Sequence, residues 1–471
     1  MVRRQWVGTR TPACGGGRAR GALRDTACRA ASGTVARLTG TPRGWPADRL
    51  LRWGVTSAPA LALLTVRTVR RDEPGPLLDL LDLLPEDGAL AWVSAGEGLV
   101  GWGEAARLDL SGPDHFGLAQ EWWRELAARS EVEDDVRLPG TGLVAFGSFA
   151  FDGDRASSVL IVPEVVVGRR DGVEWTTTID SGRVPTPPTA VTAVRPPGAV
   201  RFADGSRSSA GWTSVVADAV QRIAAGEVAK VVLARDLEAR TETPLDVRWP
   251  LQRLAADYPE CRTFAVDGLF GATPEVLVRL EHGVATSRVL AGTIRRSGDA
   301  GRDVDQATSL ARSSKDLEEH EYAVRSVAEA LAPHCDAVDV PEEPFVLHLA
   351  NVMHLATDVR ATVADGASSL ALVASLHPSA AVCGTPTDAA MQVIRDLEGL
   401  DRGRYTGPVG WTGADGDGEW CIALRCAELD PDDPCRLRLF AGCGIVAGSQ
   451  PQEELAESAA KLVPVRDALQ A

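Results

Sequence analysis

The chain has 471 residues, of which 45% are hydrophobic and 24% charged, the usage of a globular protein large enough for an extensive core. A formal net charge of −16 argues against general nucleic-acid binding, and no apolar run approaches the length that spans a bilayer. We therefore expect a cytoplasmic protein that binds neither nucleic acid nor membrane. The nine cysteines lack a metal-ligand spacing and are interpreted as reduced, buried side chains.

The first 54 residues differ from the rest in charge. They contain eleven Arg against Asp25 and Asp48, so residues 1–54 carry +9 and residues 55–471 carry −25. Transit peptides and nucleic-acid-binding arms can be equally Arg-rich, but this segment has a single serine, Ser32, and no amphipathic period. We favour a disordered tail, or a start site assigned too far upstream.

Residues 55–207 are predicted to form the N-terminal part of a β-rich domain. The expected elements are strands at 58–69, 89–93, 98–103 and 142–151 and helices at 76–84 and 117–129. Segments 159–167 and 173–179 resemble a hairpin with Arg170, Asp171 and Gly172 at its turn. Residues 183–206 are rich in Pro, Gly and Thr and are predicted to be a surface connection.

Residues 208–471 are predicted to form a second, catalytic region. Helices are expected at 212–225, 315–331 and 452–468, the second of them capped by Ser313 or Ser314. The expected strands are 230–235, 263–267, 275–281, 284–295, 408–411, 420–429 and 435–442. Because strands follow one another in series, the predicted class is α+β with a largely antiparallel sheet, rather than a doubly wound fold.

Lysine is rare in this chain. Of the 49 basic residues, 46 are Arg and only three are Lys, namely Lys230, Lys315 and Lys461. Lysine can lose its proton in a dry pocket, whereas a guanidinium group stays charged. A retained lysine is therefore a candidate for a role that Arg cannot fill, although chance retention is the alternative at each position.

Two carboxylate clusters lie on predicted helices. Asp316 and Glu319 are three residues apart, as are Glu454 and Glu457, so the members of each pair face the same way. Two acidic helix faces can supply the oxygen ligands that Mg²⁺ prefers, together with water and an anionic substrate group. The alternative is a pair of solvated helices with i,i+4 salt bridges.

Lys230 and Glu275 are candidates for acid–base chemistry. The same-face neighbours of Lys230 on its predicted strand are Val232 and Ala234, and an amine in such apolar surroundings suits a general base. The alternative is an ammonium group that reaches solvent from the strand end. Glu275 follows a turn and opens a strand, a position from which its carboxyl group can enter a cleft.

Several further residues suit the binding of an anion. Arg425 is a charge within the otherwise apolar strand predicted at 420–429, and such a charge must be paired or bind an anion. Gly442 and Gly444 would let a carboxylate approach backbone N–H groups closely. Tyr405, one of only three tyrosines in the chain, is a further candidate. His354 could donate a hydrogen bond, although a lone His is more often a satisfied core residue.

Taken in order, nine segments between about Trp212 and Asp467 resemble the chorismate-utilising enzymes. This family includes isochorismate and salicylate synthases and the large subunits of anthranilate and aminodeoxychorismate synthases. The segments are KVVLAR, FGATPEVL, LAGTIRR, KDLEEH, VMHLAT, LHPSAAVCGTP, RGRYTGPVGW, ALRCAEL and AGCGIVAGSQPQEELAES. The resemblance implies one large domain like anthranilate synthase component I, with an antiparallel β-sandwich core flanked by helices.

The resemblance also implies roles for individual residues. Lys230 matches the lysine that activates water in the isochorismate and salicylate branches. The amine-transferring members of the family usually have Gln at this position. Glu275 matches the general acid that protonates the departing C4 hydroxyl. The residues that match groups around the bound chorismate are Thr293, His354, Tyr405, Arg425, Gly442, Gly444 and Lys461.

A metal site is implied in the same way. Glu319 and Glu457 match the ligands of Mg²⁺, and Asp316 and Glu454 lie beside them in the family's pattern. The chain departs from that pattern only in small substitutions, among them Cys383 and Cys443, which replace small residues.

The form HLAT, with Ala356, is more similar to isochorismate synthases than to salicylate synthases. We therefore expect an isochorismate synthase that requires Mg²⁺ and no glutamine amidotransferase partner. One alternative is a salicylate synthase, which would also release pyruvate. The other is a catalytically silent paralogue that binds metabolites.

Overall fold

A computed structural model describes residues 63–71, 79–181, 192–348 and 352–470 and, within these ranges, not the side chains of Thr293, Arg295, Lys315 and Glu319. The tail predicted at 1–54 lies outside the described residues. In the ranges described, no helix is both long and apolar enough to cross a membrane.

Several helices begin directly after a side chain that caps their first turn. Ser208, for example, accepts a hydrogen bond from the Gly211 backbone N–H, and the helix that follows buries Trp212 and Val216 and ends before Gly226, whose φ is +81°. The helices are α1 (His115–Arg129), α2 (Ser209–Ala224), α3 (Arg248–Asp257), α4 (Ala300–Arg312), α5 (Ser314–Leu331), α6 (Ser369–Leu376), α7 (Thr387–Leu397) and α8 (Pro451–Leu469), with 3₁₀ turns at Leu80–Leu83 and Ala332–His334.

Strands make up the rest of the regular structure. In chain order they are β1 (Thr65–Arg70), β2 (Leu90–Ser94), β3 (Glu97–Trp102), β4 (Ala106–Leu110), β5 (Glu131–Asp134), β6 (Val144–Ser148), β7 (Ser158–Val162), β8 (Val165–Arg170), β9 (Val173–Asp180), β10 (Val200–Asp204), β11 (Lys230–Thr241), β12 (Arg262–Val266), β13 (Leu269–Thr273), β14 (Val276–Glu281), β15 (Val284–Arg295), β16 (Cys335–Asp339), β17 (Phe345–His348), β18 (Val352–Val363), β19 (Gly384–Thr385), β20 (Pro408–Gly413), β21 (Gly418–Ile422), β22 (Cys426–Leu429) and β23 (Arg436–Ile445).

The strands form two sheets. The first has the order β10-β11-β23-β22-β13-β12-β2-β3-β8-β9-β1-β5, with β19 beside β11. The second has the order β16-β18-β15-β14-β21-β20-β6-β7-β4, with β17 beside β18. Of the pairings described, β1 with β5 is parallel and the others are antiparallel. Both sheets take strands from both sides of residue 208, so the two predicted regions are interleaved.

The sheets pack face to face with helices outside them. Trp92 and Phe264 of the first sheet share a buried cluster with Phe146 and Trp411 of the second. Helices α1 and α6 cover the outer face of the second sheet, and α3 and α8 cover that of the first. The predicted class, an antiparallel β-sandwich flanked by helices, is confirmed.

Several predicted elements are wrong in extent. The single strands expected at 159–167 and 420–429 are each divided into two strands, which belong to different sheets. Pro163, which cannot donate to a ladder, lies at the first break. The connection expected at 183–206 contains β10, while residues 182–191 lie outside the described part. Helices α3, α4, α6 and α7 were not predicted.

Two of the points at which the chain changes sheet are neighbours in space. Pro274 and Glu275 connect β13 to β14, and residues 423–425 connect β21 to β22. Because β13 pairs with β22 and β14 pairs with β21, the two crossings lie side by side. The Ile422 backbone N–H donates to the Glu275 carbonyl over 3.1 Å and joins them.

Candidate active site

A cavity of about 190 Å³ lies beside the two crossings and gathers most of the residues identified in the sequence. Its walls come from β11, β15, β18, β23, both crossings, the segments at 381–382 and 405–406, the first turn of α5 and one face of α8 between Glu454 and Lys461. The predicted site residues that line it are Lys230, Glu275, Asp316, His354, Tyr405, Arg425, Gly442, Gly444, Glu454, Glu457 and Lys461. The side chains of Thr293 and Glu319 lie outside the described residues.

Lys230 is the first residue of β11 and is only 2% exposed. Val232, two residues on, also lines the cavity, as the alternation of a strand predicts. The alternative of an ammonium group extending into bulk solvent does not fit this burial. The charge of Lys230 is close enough to Glu275 to oppose the rise in the pKa of that carboxyl.

Glu275 is 9% exposed and lies at the first crossing. Burial raises the pKa of Glu275 to about 7, against the opposing effect of the positive charges on Lys230, Lys461 and Arg425. A carboxyl group with this pKa holds a proton at neutral pH for much of the time. It can therefore donate that proton to a bound molecule.

Arg425 lies at the second crossing, with φ +47°, not within a continuous strand as the sequence suggested. The residue is 8% exposed, and burial lowers the pKa of Arg425, yet a guanidinium group remains charged at neutral pH. No carboxylate of the described residues lies within salt-bridge distance of it. A buried cation that faces a cavity in this way calls for an anionic ligand.

A β-bulge shapes the wall formed by β15 and β18. The register shifts at Gly292, whose φ is +74°, and His354 is paired with Thr293 just beyond it. A Cβ on Gly292 would lie 3.0 Å from the Cβ of Asp316, so glycine allows α5 to approach the strand closely. Burial, together with Arg425 and Lys461, lowers the pKa of His354 to about 3, and its imidazole is therefore neutral.

Tyr405 and the glycines of β23 form another part of the lining. The Tyr405 ring stacks on Phe440 with centroids 5.1 Å apart, and burial raises the pKa of Tyr405, so its hydroxyl remains a donor. Strand β22 pairs with β23 only at Leu437–Leu439. Farther along β23, the backbone at Gly442 and Gly444 is left to line the cavity.

The two acidic helix faces meet at the cavity. Asp316 reaches it from α5, and Glu454 and Glu457 reach it from α8. Ligand atoms of Glu454, Glu457 and Cys443 lie within 4.8 Å of one another. Lys461 Nζ is 2.6 Å from Glu457 Oε1 and 3.0 Å from the Gly442 carbonyl oxygen. The i,i+4 salt bridge considered as an alternative therefore exists, between Glu457 and Lys461. Both residues nevertheless line the cavity instead of a solvated surface. The clustered carboxylate oxygens suit a hard cation.

The sequence analysis missed a buried ion pair that fixes these walls. Arg402 donates to both carboxylate oxygens of Glu398, at 2.7 and 2.6 Å, and also to the carbonyl oxygens of Val232 and Val382, both cavity residues. The Glu398 carboxylate also accepts from the backbone N–H of Ala234, at 2.7 Å. The sequence signal that could have revealed this pair is two opposite charges four residues apart at the end of a helix.

Comparison with known proteins supports a shared ancestry for this site. Residues 192–470 match the family of chorismate binding enzymes, and this range contains the whole cavity lining. The salicylate biosynthesis isochorismate synthase of Pseudomonas aeruginosa is 34% identical over 435 residues, which are 84% of this chain and 89% of that protein. Isochorismate synthase DhbC of Bacillus subtilis is 40% identical over 258 residues, 52% of this chain and 64% of that protein.

The fold is also found in a solved structure. A Bacillus anthracis protein described as a 2,3-dihydroxybenzoate-specific isochorismate synthase, DhbC, superposes with a TM-score of 0.69 at 31% identity. The match covers 83% of this chain and 98% of that one.

Proposed function

This chain belongs to the family of chorismate-binding enzymes, and we propose that it is an isochorismate synthase. The proposed reaction is the reversible, Mg²⁺-dependent conversion of chorismate to isochorismate, for menaquinone or siderophore biosynthesis. The observation that carries the proposal is the meeting of Lys230, Glu275 and the unpaired Arg425 guanidinium in one cavity, judged within the described residues.

The proposed reaction needs a base and an acid. Water attacks C2 of the ring while the C4 hydroxyl leaves, so one water is consumed and one is released. Lys230 takes the proton from the attacking water, and Glu275 gives a proton to the departing hydroxyl. The pKa of about 7 at Glu275 supports this role, because an acid near the working pH is the most effective donor.

The two carboxylates of chorismate need positive partners. Arg425 is proposed to bind one of them, with help from the Tyr405 hydroxyl and the backbone at Gly442 and Gly444. The neutral ring of His354, and Thr293 beside it in the ladder, are proposed to contact the ring and its substituents. In a chain with a net charge of −16, local cations of this kind are required to attract a dianion.

The acidic residues are proposed to hold Mg²⁺. Glu457 and Glu319 would be its ligands, with Asp316 and Glu454 beside them. The cation would neutralise a substrate carboxylate between two acidic helix faces. Lys461, which bonds both Glu457 and the Gly442 carbonyl, is proposed to fix that helix against β23 next to the substrate.

The proposal is tested by the products formed from chorismate. The purified chain with chorismate and Mg²⁺ is expected to give isochorismate in a reversible mixture, with little salicylate or pyruvate. EDTA should abolish turnover, and added Mg²⁺ should restore it. No glutamine amidotransferase partner should be needed.

Other results would change the assignment. Stoichiometric pyruvate release would indicate a salicylate synthase. Absence of any chorismate turnover would indicate a silent paralogue, and full activity in excess chelator would contradict the metal proposal.

A further inference from the structure

The buried side of helix α5 ends in a polar side chain. Among the described side chains of this helix, the buried ones are His320, Ala323, Val327 and Leu331, which are spaced as one stripe along the helix. The three apolar residues pack into the main hydrophobic cluster. His320 is equally inaccessible, at 3% exposed, although its ring carries two polar nitrogens. A histidine buried at the end of an apolar stripe requires a polar partner.

Strand β18 supplies a partner for this histidine. His320 Nε2 and Thr357 Oγ1 are 2.7 Å apart and share a hydrogen bond in which either group can donate. Thr357 is also 3% exposed, and it shares one face of β18 with Val359 and Ala361, which belong to the same cluster as the apolar stripe of α5. The hydrogen bond therefore lies between the helix and the sheet, away from water.

This hydrogen bond lies one helical turn from the cavity. Asp316, which lines the cavity, is four residues before His320 and therefore on the same side of α5. The first turn of the helix is close to the bulge at Gly292, where an added Cβ would lie 3.0 Å from the Asp316 Cβ. Thr357 follows the lining residue His354 by three positions on β18. The bond thus ties the cavity end of α5 to a strand of the cavity wall.

The hydrogen bond and the apolar stripe constrain α5 in different ways. Apolar burial is non-directional, so it allows small shifts of a helix along or about its own axis at little cost. A hydrogen bond weakens steeply when its length or angle departs from the preferred geometry. The contact between His320 and Thr357 therefore fixes the position of α5 on the sheet more closely than the apolar contacts can.

Such small shifts matter for the cation proposed at this site. Mg²⁺ demands near-octahedral geometry with oxygen ligands at about 2.0–2.1 Å, whereas Ca²⁺ accepts a flexible geometry at about 2.3–2.6 Å. We propose that His320 is a positioning residue that, through Thr357, holds α5 where its carboxylates fit Mg²⁺ in preference to a larger cation. His320 does not line the cavity itself. The inference rests on the proposed function, in which α5 supplies Glu319 as a ligand with Asp316 beside it.

The test measures cation binding to the full chain in the absence of chorismate. Isothermal titration calorimetry gives the Kd for Mg²⁺ and, in a separate titration, the Kd for Ca²⁺. His320→Leu removes the hydrogen bond and extends the apolar stripe, and Thr357→Val removes the hydroxyl with little change of shape. His320→Gln is the rescue variant, because the glutamine amide can donate or accept at about the distance of Nε2 from the backbone.

The matched control is the same change at another histidine. His334 lies in the 3₁₀ turn at the far end of α5, about 20 Å from His320 along the helix axis. Its Nδ1 and Nε2 atoms are 2.7 and 2.8 Å from side-chain oxygens of Asp365 and Ser375. His334→Leu therefore also removes hydrogen bonds of a histidine, but away from the cavity, and it should leave the Kd for Mg²⁺ unchanged.

The expected result separates positioning from a general effect on the structure. His320→Leu and Thr357→Val should each raise the Kd for Mg²⁺ by about 10–100-fold, the usual effect of losing a partner that orients a metal ligand. The Kd for Ca²⁺ should change much less, because its coordination tolerates a displaced helix. The double variant should bind Mg²⁺ no more weakly than either single variant, and His320→Gln should recover most of the affinity. Circular dichroism and the Tm check that each variant is folded.

Three outcomes would overturn the proposal. One is a folded His320→Leu variant that binds Mg²⁺ as wild type does, and another is an equal loss of affinity for Mg²⁺ and Ca²⁺. The third is a wild-type chain that binds neither cation. A failure of the isochorismate assignment is recognised separately, from the products that wild type forms from chorismate, and it would leave these cation affinities unchanged.

Discussion

Lys230 and Glu275 show how single residues acquire a role through position. Each lies where regular structure begins, one at the start of β11 and the other at a crossing between sheets, and both are buried beside the same cavity. Burial that would be costly for an isolated charge is tolerated here because an amine and a carboxyl group lie close to each other.

The first prediction concerns Lys230. Lys230→Arg should be nearly as inactive as Lys230→Ala, because Arg keeps the positive charge but cannot give up its proton at working pH. Loss of a general base typically lowers kcat by about 10²–10⁴-fold, whereas loss of a binding contact mainly raises KM. Steady-state kinetics with chorismate distinguish the two. An Arg variant within a few-fold of the wild-type kcat would show that Lys230 acts only by its charge.

The second prediction concerns Glu275 and the pH dependence of stability. Its folded pKa, about 7, lies above the ordinary value of 4.5, so the folded state binds the proton more tightly. The free energy of unfolding should therefore fall as pH rises from 4.5 to 7, by on the order of 3 kcal/mol. Glu275→Gln should remove this dependence and also lower kcat. Urea unfolding at several pH values, without Mg²⁺ or chorismate, measures this pH dependence of the free energy of unfolding.

One outcome would argue against the role of Glu275 as the acid. If Glu275→Gln unfolds with the same pH dependence as wild type over this range, the Glu275 carboxyl is not the group that titrates, and its assignment as the acid loses its support.

At the scale of elements, the crossings between sheets decide what could be predicted. The apolar run at 420–429 has the composition of one strand, and its alternation carries no sign that the chain changes sheet at 423–425. The sequence therefore placed Arg425 within a strand, and its expectation that this charge is paired or binds an anion stays a prediction. Which strand neighbours which is set by contacts between distant parts of the chain, which local pattern does not contain.

The third prediction concerns the ion pair that joins these elements. Arg402 and Glu398 are 2% and 1% exposed and tie the cavity walls to β11. Arg402→Met should destabilise the fold by about 3–5 kcal/mol, because it leaves a buried carboxylate unpaired. Adding Glu398→Gln should recover part of that loss, since the buried charge is then removed.

The control for the ion pair is an exposed one. Arg436 and Glu238 are 3.1 Å apart and 46% and 44% exposed, so Arg436→Ala should cost at most about 1 kcal/mol. Urea unfolding compares the variants. Equal losses at the two sites would contradict the role assigned to Arg402.

For the whole molecule, the sequence predicted the fold class and named residues that the fold brings to one cavity, but it missed several elements. The ordered motifs identified Lys230, Glu275 and the acidic faces of α5 and α8, because each motif carries a residue type suited to acid–base chemistry or to metal binding. The four missed helices lie between motifs, and α6 is so uniformly apolar that it lacks a periodic face. Such segments are specified by the core around them, which only the complete fold supplies.

The last prediction is a property of the whole fold, its sensitivity to acid. Burial lowers the pKa of His115 and His377 to about 4 and that of His354 to about 3, below the ordinary value of 6.5. Below pH 6.5 the unfolded chain takes up protons that the folded chain refuses, so stability is retained above pH 6.5 and lost as pH falls. At pH 5 the loss should be about 2 kcal/mol per histidine.

Because Glu275 changes stability in the opposite sense over the same pH range, the histidines are measured in the Glu275→Gln background. There, His377→Gln should flatten the dependence of stability on pH, because it removes one of the buried imidazoles. An unchanged slope in folded His377→Gln would show that the acid sensitivity arises elsewhere.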